Sequence, residues 1–160
     1  MNFSTKMKNL IFCRKKIFQP KKNKVLVIDT NFNFILKNLF KNTPEILDIR
    51  LNEINISVLL KLFFSNQKKT FFNYVILYIK ITDPKHVITF NDNLNWFYKL
   101  KKKFPKKNFI SFQNGFRTKS FFRELSDEKE HLSADLICTF NRSFAKEFKK
   151  KINCNTLVVG

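Results

Sequence analysis

Apolar positions along the chain switch repeatedly between two spacings. Val25-Leu26-Val27-Ile28 forms a short unbroken run between Lys24 and Asp29, the pattern of a strand buried on both faces. Thr30 and Asn31, both good caps, then precede Phe32, Ile35, Leu36, Leu39 and Phe40 at helical spacing. Residues 46–51 predict a second strand. Asn55 caps a helix through Val58, Leu59, Leu62 and Phe63, and Phe71, Tyr74, Val75, Tyr78 and Ile79 predict another that ends near Pro84. Residues 86–90 read as strand three. A helix with Leu94, Phe97 and Leu100 follows, closed by Lys101-Lys102-Lys103 and Pro105, and residues 109–112 read as strand four. Phe121, Phe122 and Leu125 predict a short helix, and residues 135–140 strand five. Asn141 caps a helix with Phe144, Ala145, Phe148 and Ile152, and residues 155–159 predict a sixth, buried-type strand.

Strands and helices alternating at this spacing predict an α/β fold: an open, mostly parallel Rossmann-like sheet of about six strands with helices on both faces. A length of 160 residues suits one domain, expected over residues 23–160. Residues 1–22 carry seven basic side chains and no acidic one, interleaved with Leu10, Ile11, Phe12, Ile17 and Phe18. That mixture suits a basic amphipathic tail on an anionic membrane surface, and equally a frayed basic end.

The net charge is +19, from 31 Lys+Arg against 12 Asp+Glu, a balance that points to nucleic acid or an anionic surface. Lysine dominates that excess, alongside abundant Asn, Ile and Phe. An A/T-rich genome produces the same bias without selection for an anionic partner. The Lys101–Lys103 cluster complements the negative end of its helix dipole, and no RNP-like or zinc-finger pattern occurs. No nucleic acid is therefore expected as a partner, although a basic nucleic-acid-binding accessory protein, or a non-catalytic regulatory domain, stands as the alternative reading. Cys13, Cys138 and Cys154 are scattered, with no C-x-x-C pair, which suits reduced thiols in a cytoplasmic protein. His86 and His131 lie apart from them, so no metal site is expected, and no cofactor is called for. No apolar run reaches the roughly 18–20 residues of a membrane span. The expected location is cytoplasmic, peripheral to the inner membrane face.

The chemistry concentrates in the turns after the strands. In open parallel sheets, ligands bind outside the carboxyl ends of the strands. Asp29-Thr30, Asn91-Asp92-Asn93, Gln113-Asn114-Gly115 and Asn141-Arg142-Ser143 all fall there. Amide side chains at such turns can hold sugar hydroxyls, and Arg117 or Arg142 a phosphate oxygen. Asn, Asp and Ser are also the ordinary helix caps, which accounts for Asp92 and Asn141 without any ligand. Asp92 is the candidate base for deprotonating an acceptor hydroxyl. Gly115, the only glycine before Gly160, marks a turn with a geometric requirement. The turn after strand one lacks glycine, so a dinucleotide site is not expected there.

The residues Val87 to Asn93, Phe97-Tyr98-Lys99-Leu100 through Phe104-Pro105, Phe109 to Arg117, Ala134-Asp135 to Phe140-Asn141, and Val158-Val159-Gly160 together resemble the amino-terminal half of bacterial surface-carbohydrate biosynthesis transferases. These are two-domain nucleotide-sugar glycosyltransferases of the GT-B type and polyglycerophosphate transferases. The resemblance covers roughly residues 24–160 and implies an acceptor-side domain. Asn91, Asn93, Gln113, Asn114, Gly115, Arg117 and Asn141 would line the cleft, with Asp92 near the acceptor hydroxyl. It further implies a sugar or lipid-linked acceptor, and a nucleotide-sugar donor held by a carboxyl-terminal domain not contained in these residues. The chain is accordingly expected to be a truncated half that does not catalyse transfer alone.

Overall fold

The computed structural model describes residues 13–29, 40, 42–48, 53–128 and 130–160. Among them, strands and helices alternate along most of the chain. The first part holds β1 (Arg14–Lys16), β2 (Val25–Ile28), β3 (Glu45–Leu47), β4 (Glu53–Asn55), α1 (Ile56–Phe63) and α2 (Phe71–Thr82). The second holds β5 (His86–Thr89), α3 (Asn95–Lys103), β6 (Asn108–Phe112), α4 (Lys119–Asp127), β7 (Ser133–Thr139), α5 (Arg142–Lys151) and β8 (Asn153–Val158). Six strands form one sheet in the order β3-β2-β5-β6-β7-β8. This is the expected open Rossmann-like parallel sheet flanked by helices. Where length suggests one domain, the chain divides into two compact units, Met1–Pro84 and Lys85–Gly160.

In the first unit, β2 pairs in parallel with β3, Val27 opposite Ile46 and Ile28 opposite Leu47. Leu26, Val27 and Ile28 are fully buried, as the unbroken apolar run requires. β1 pairs in parallel with β4, Lys15 opposite Ile54. The region read as a tail therefore contains a strand; residues 1–12 lie outside the described residues. The two short strands escape a sequence reading because Arg14-Lys15-Lys16 has no apolar pattern at all. Asn55 caps α1 as expected, its side-chain oxygen accepting from the Val58 N–H at 3.1 Å. Thr70 caps α2 in the same way through the Asn73 N–H. Asp83 ends α2 in the left-handed region at φ 45°, one residue before Pro84 prevents any continuation. The helix expected through Phe32 and Leu39 lies outside the described residues, as do residues 49–51 of the expected second strand.

In the second unit, β5, β6, β7 and β8 lie side by side in chain order, every ladder parallel. Each crossover steps the same way, so right-handed connections bring α3, α4 and α5 to one face of these strands. The Phe109 ring on β6 stands 5.4 Å from that of Phe97 on α3, and between the helices Phe122 of α4 stands 5.2 Å from Phe148 of α5. Phe97, Phe109, Ile137 and Phe148 are fully buried. β8 departs from expectation: it lies at the edge of the sheet, and Leu157 and Val158 are exposed rather than buried. Asp92 also departs, since the capping position of α3 belongs to Leu94, with no side-chain cap bond.

Candidate functional site

Parallel strands end on the same side, and neighbours stand about 4.8 Å apart. The turns after β5, β6 and β7 are thereby neighbours before any side chain is considered. The side chains then lock them. Asp92, fully buried, accepts from Arg117 Nε at 2.7 Å and from the Asn114 N–H at 3.1 Å. Arg117 Nη2 closes a second bond to Asp92 Oδ1 and reaches Asn114 Oδ1 at 2.6 Å. A guanidinium fork on a carboxylate fixes both orientation and distance. One planar ion pair thus ties the turn after β5 to the turn after β6.

Gln113 ties the latter to the turn after β7. Its Oε1 accepts from the Phe140 N–H at 3.1 Å, and its Nε2 donates to the Gly115 carbonyl at 2.8 Å. Tyr98 supports the assembly from below, donating to the Asp92 carbonyl at 2.8 Å beside Ser111 Oγ at 3.2 Å. Burial drives the Tyr98 phenol above its ordinary range, so it stays a neutral donor. Asn141 caps α5 through the Phe144 N–H at 2.9 Å.

The residues expected in the cleft therefore separate into two groups. Asn91, Asp92 and Gln113 are buried and hold the turns, whereas Asn93, Asn114 and Asn141 are exposed. This reassigns Asp92. A general base must come within hydrogen-bond reach of the proton that it removes. Asp92 has no exposed surface, and both its oxygens accept from Arg117. Its carboxylate is a positioning group. Gly115 is likewise not the strained turn expected of it. No glycine has positive φ among the described residues, and an added Cβ would meet only the flexible end of Arg117 at 3.4 Å. Of the Asp29-Thr30 turn in the first unit, Asp29 is buried at φ 54°, and Thr30 lies outside the described residues.

Two features of the site have no counterpart in the sequence reading. Phe116 is 83% exposed in the middle of the polar turn, its ring 6.1 Å from Phe140 and 6.0 Å from Phe144. An aromatic residue directly after Asn-Gly was the available signal. The second feature is a cavity of about 570 Å³ lined by Arg117, Lys119, Arg123 and Lys151, with Phe122, Ser126, Ser143, Phe144 and one carboxylate, Glu147. Lys150 bonds to Glu147 at 2.6 Å and lowers that carboxyl's pKa, so Glu147 stays ionised with its charge offset by Lys150. With Arg117 paired to Asp92, the net positive charge of the lining comes from Lys119, Arg123 and Lys151. Its residues come from α4, α5 and Arg117, too far apart in sequence for spacing to announce them.

A larger cavity, about 720 Å³, lies at the opposite end of the strands beside Lys101, His131, Asp135 and Cys154. Its central charges serve the fold. Lys101 bonds to the Pro105 and Lys107 carbonyls at 2.9 and 2.8 Å and pairs with Asp135 at 2.9 Å. Asp135 in turn accepts from the Phe109 N–H at 2.7 Å. Cys154 there is pushed up to about 11 by burial, which leaves it a thiol rather than a nucleophilic thiolate at neutral pH. The polar turns, with exposed amides and an exposed ring, are the better candidate. No family model matches the chain, and no curated protein or solved structure matches it significantly.

Proposed function

We propose that residues 85–160 form the acceptor side of a glycosyltransferase-like protein in cell-surface polysaccharide biosynthesis. The observation that carries this reading is the joining of three turns by the Asp92–Arg117 pair and Gln113, next to a cationic cavity. Asn93, Asn114 and Asn141 offer amide donors and acceptors to sugar hydroxyls, and the Phe116 ring offers an apolar face to sugar C–H groups. Arg123, Lys119 and Lys151 suit a phosphate, so the favoured acceptor is a phosphorylated or lipid-linked sugar. The nucleotide-sugar donor is brought by a second domain, and the chemistry at the reacting hydroxyl awaits that partner. Asp92 holds the turns rather than taking the proton.

Titration of the full chain with a panel of sugar phosphates, followed by amide chemical shifts, tests the binding half. Saturable shifts at Asn114, Phe116 and Asn141, weakened by Arg123→Ala, are expected. Shifts confined to lysines elsewhere, or none, would refute the acceptor site. Mixing with a separately expressed donor-binding half should then restore nucleotide-sugar turnover.

A further inference from the structure

The helix α1 is apolar on two opposite sides. Val58 and Leu62 are buried and pack it into the first unit. At about 100° per residue, Leu60, Phe63 and Phe64 point the other way, where they are 51%, 66% and 80% exposed. The inner stripe suffices to hold a helix on a domain, and a second apolar stripe adds nothing to that. A segment tied to α1 exposes apolar side chains as well. Ile17 and the 87% exposed Phe18 follow β1, and they are fastened to α1 rather than loose. Asn55 Nδ2 donates to the Phe18 carbonyl at 2.8 Å, and Lys61 on α1 bonds to Gln19 Oε1.

The charge around this apolar surface is predominantly positive. Residues 13–28 contain Arg14, Lys15, Lys16, Lys21, Lys22 and Lys24 and no acidic residue; residues 56–82 contain four lysines and no acidic residue. Of the nearby carboxylates, Glu53 is paired with Lys16, and Glu45 accepts from the Tyr78 hydroxyl at 2.6 Å and keeps its charge. A second copy of the chain meeting this surface about a two-fold axis would set cations against cations. Nucleic acid would use the lysines and some rings, but not aliphatic Leu60 and Ile17. An anionic bilayer satisfies both parts, with apolar side chains entering the interface and lysines meeting the headgroups.

We propose that the outer stripe of α1, together with Ile17 and Phe18, docks the first unit on an anionic lipid surface. The contact is peripheral: among the described residues no helix is long and apolar enough to cross a membrane. It rests on the first unit alone and does not depend on the reading of the polar turns in the second.

Co-sedimentation of the full chain with lipid vesicles tests it. Binding is expected to vesicles of phosphatidylcholine mixed with phosphatidylglycerol, not to phosphatidylcholine alone, and it should weaken as salt rises. Phe63→Ser combined with Phe64→Ser should reduce binding about tenfold or more, while Leu157→Ser on β8 leaves it unchanged. Ile17→Ser with Phe18→Ser lies outside every helix and should weaken binding even if α1 does not tolerate its own change. Absence of binding at low salt would overturn the proposal. So would a dimer in sedimentation velocity that the Phe63 and Phe64 changes dissolve, or RNA binding that those changes weaken equally.

Discussion

The helices α1 and α5 begin alike and finish differently. Each opens on an asparagine whose side-chain oxygen accepts from the N–H three residues on, at 3.1 Å from Val58 and 2.9 Å from Phe144. Each buries a narrow inner stripe, Val58 and Leu62 in one, Ala145 and Phe148 in the other. Outward, α1 shows Leu60 and Phe63, whereas α5 shows Lys146, Lys149 and Lys150. A cap and an inner stripe are thus enough to make a helix of this length on a domain surface. The outer face is free to vary, and its chemistry reports what the helix meets.

The comparison fails first if the inner stripes are not the main support. Phe148→Ala and Leu62→Ala should each cost about 2–5 kcal/mol in urea unfolding, with the helical signal of the affected unit lost first. A similar loss, about 3–5 kcal/mol, is expected for Arg117→Ala, because it leaves the Asp92 carboxylate buried without its partner. Changing both residues together, Asp92→Leu with Arg117→Met, should recover much of that loss, and a double-mutant cycle measures the coupling.

Alkaline titration separates the supports of the two helices. The Tyr74 hydroxyl, which accepts from the Asn55 N–H at 3.0 Å at the start of α1, is pushed up to about 12 by burial. A phenol whose folded pKa lies above its unfolded value keeps its proton longer in the native state. Its contribution is complete below pH 10 and declines by about 1.4 kcal/mol per pH unit between 10 and 12. Thermal melts over that range should fall, and Tyr74→Phe should flatten the decline. The caps come next. Asn141→Ala should cost about 1 kcal/mol. Asn55→Ala should cost more, since Asn55 also donates to the Phe18 carbonyl; Asn55→Asp should retain the cap but lose that tie and set a buried carboxylate against the Phe18 carbonyl. Least of all, Phe63→Ser and Lys150→Ala should change stability by no more than about 0.5 kcal/mol, whatever they do to binding.

The inner half of each helix was legible in the sequence, and the outer half was not. Asn55, Asn141 and the residues at three- and four-residue spacing announce themselves because caps and stripes are local. Phe63 was counted with Val58 and Leu62 on that basis. It lies well around the helix from them, and only the packed structure shows that its ring stands 66% exposed. The polar turns were legible as turns, since Gln-Asn-Gly and Asn-Asp-Asn cannot continue a strand. Their mutual bonds were not, because Asp92 and Arg117 are brought together by the pairing of β5 with β6 across 25 residues. Gly115 shows the reverse error. A residue able to adopt positive φ was read as needing it, although its backbone takes an ordinary conformation.

The exposed edge strand β8 has a practical consequence for handling the protein. Asn153 to Val158 contains no lysine, proline or acidic residue, and such residues are what usually discourage an open edge from pairing with another chain. Long-range repulsion from a net charge of +19 keeps molecules apart instead. Salt shortens the reach of that repulsion to about 8 Å at physiological strength. Storage in strong buffer should therefore shorten shelf life, with light scattering rising first in the samples of highest ionic strength.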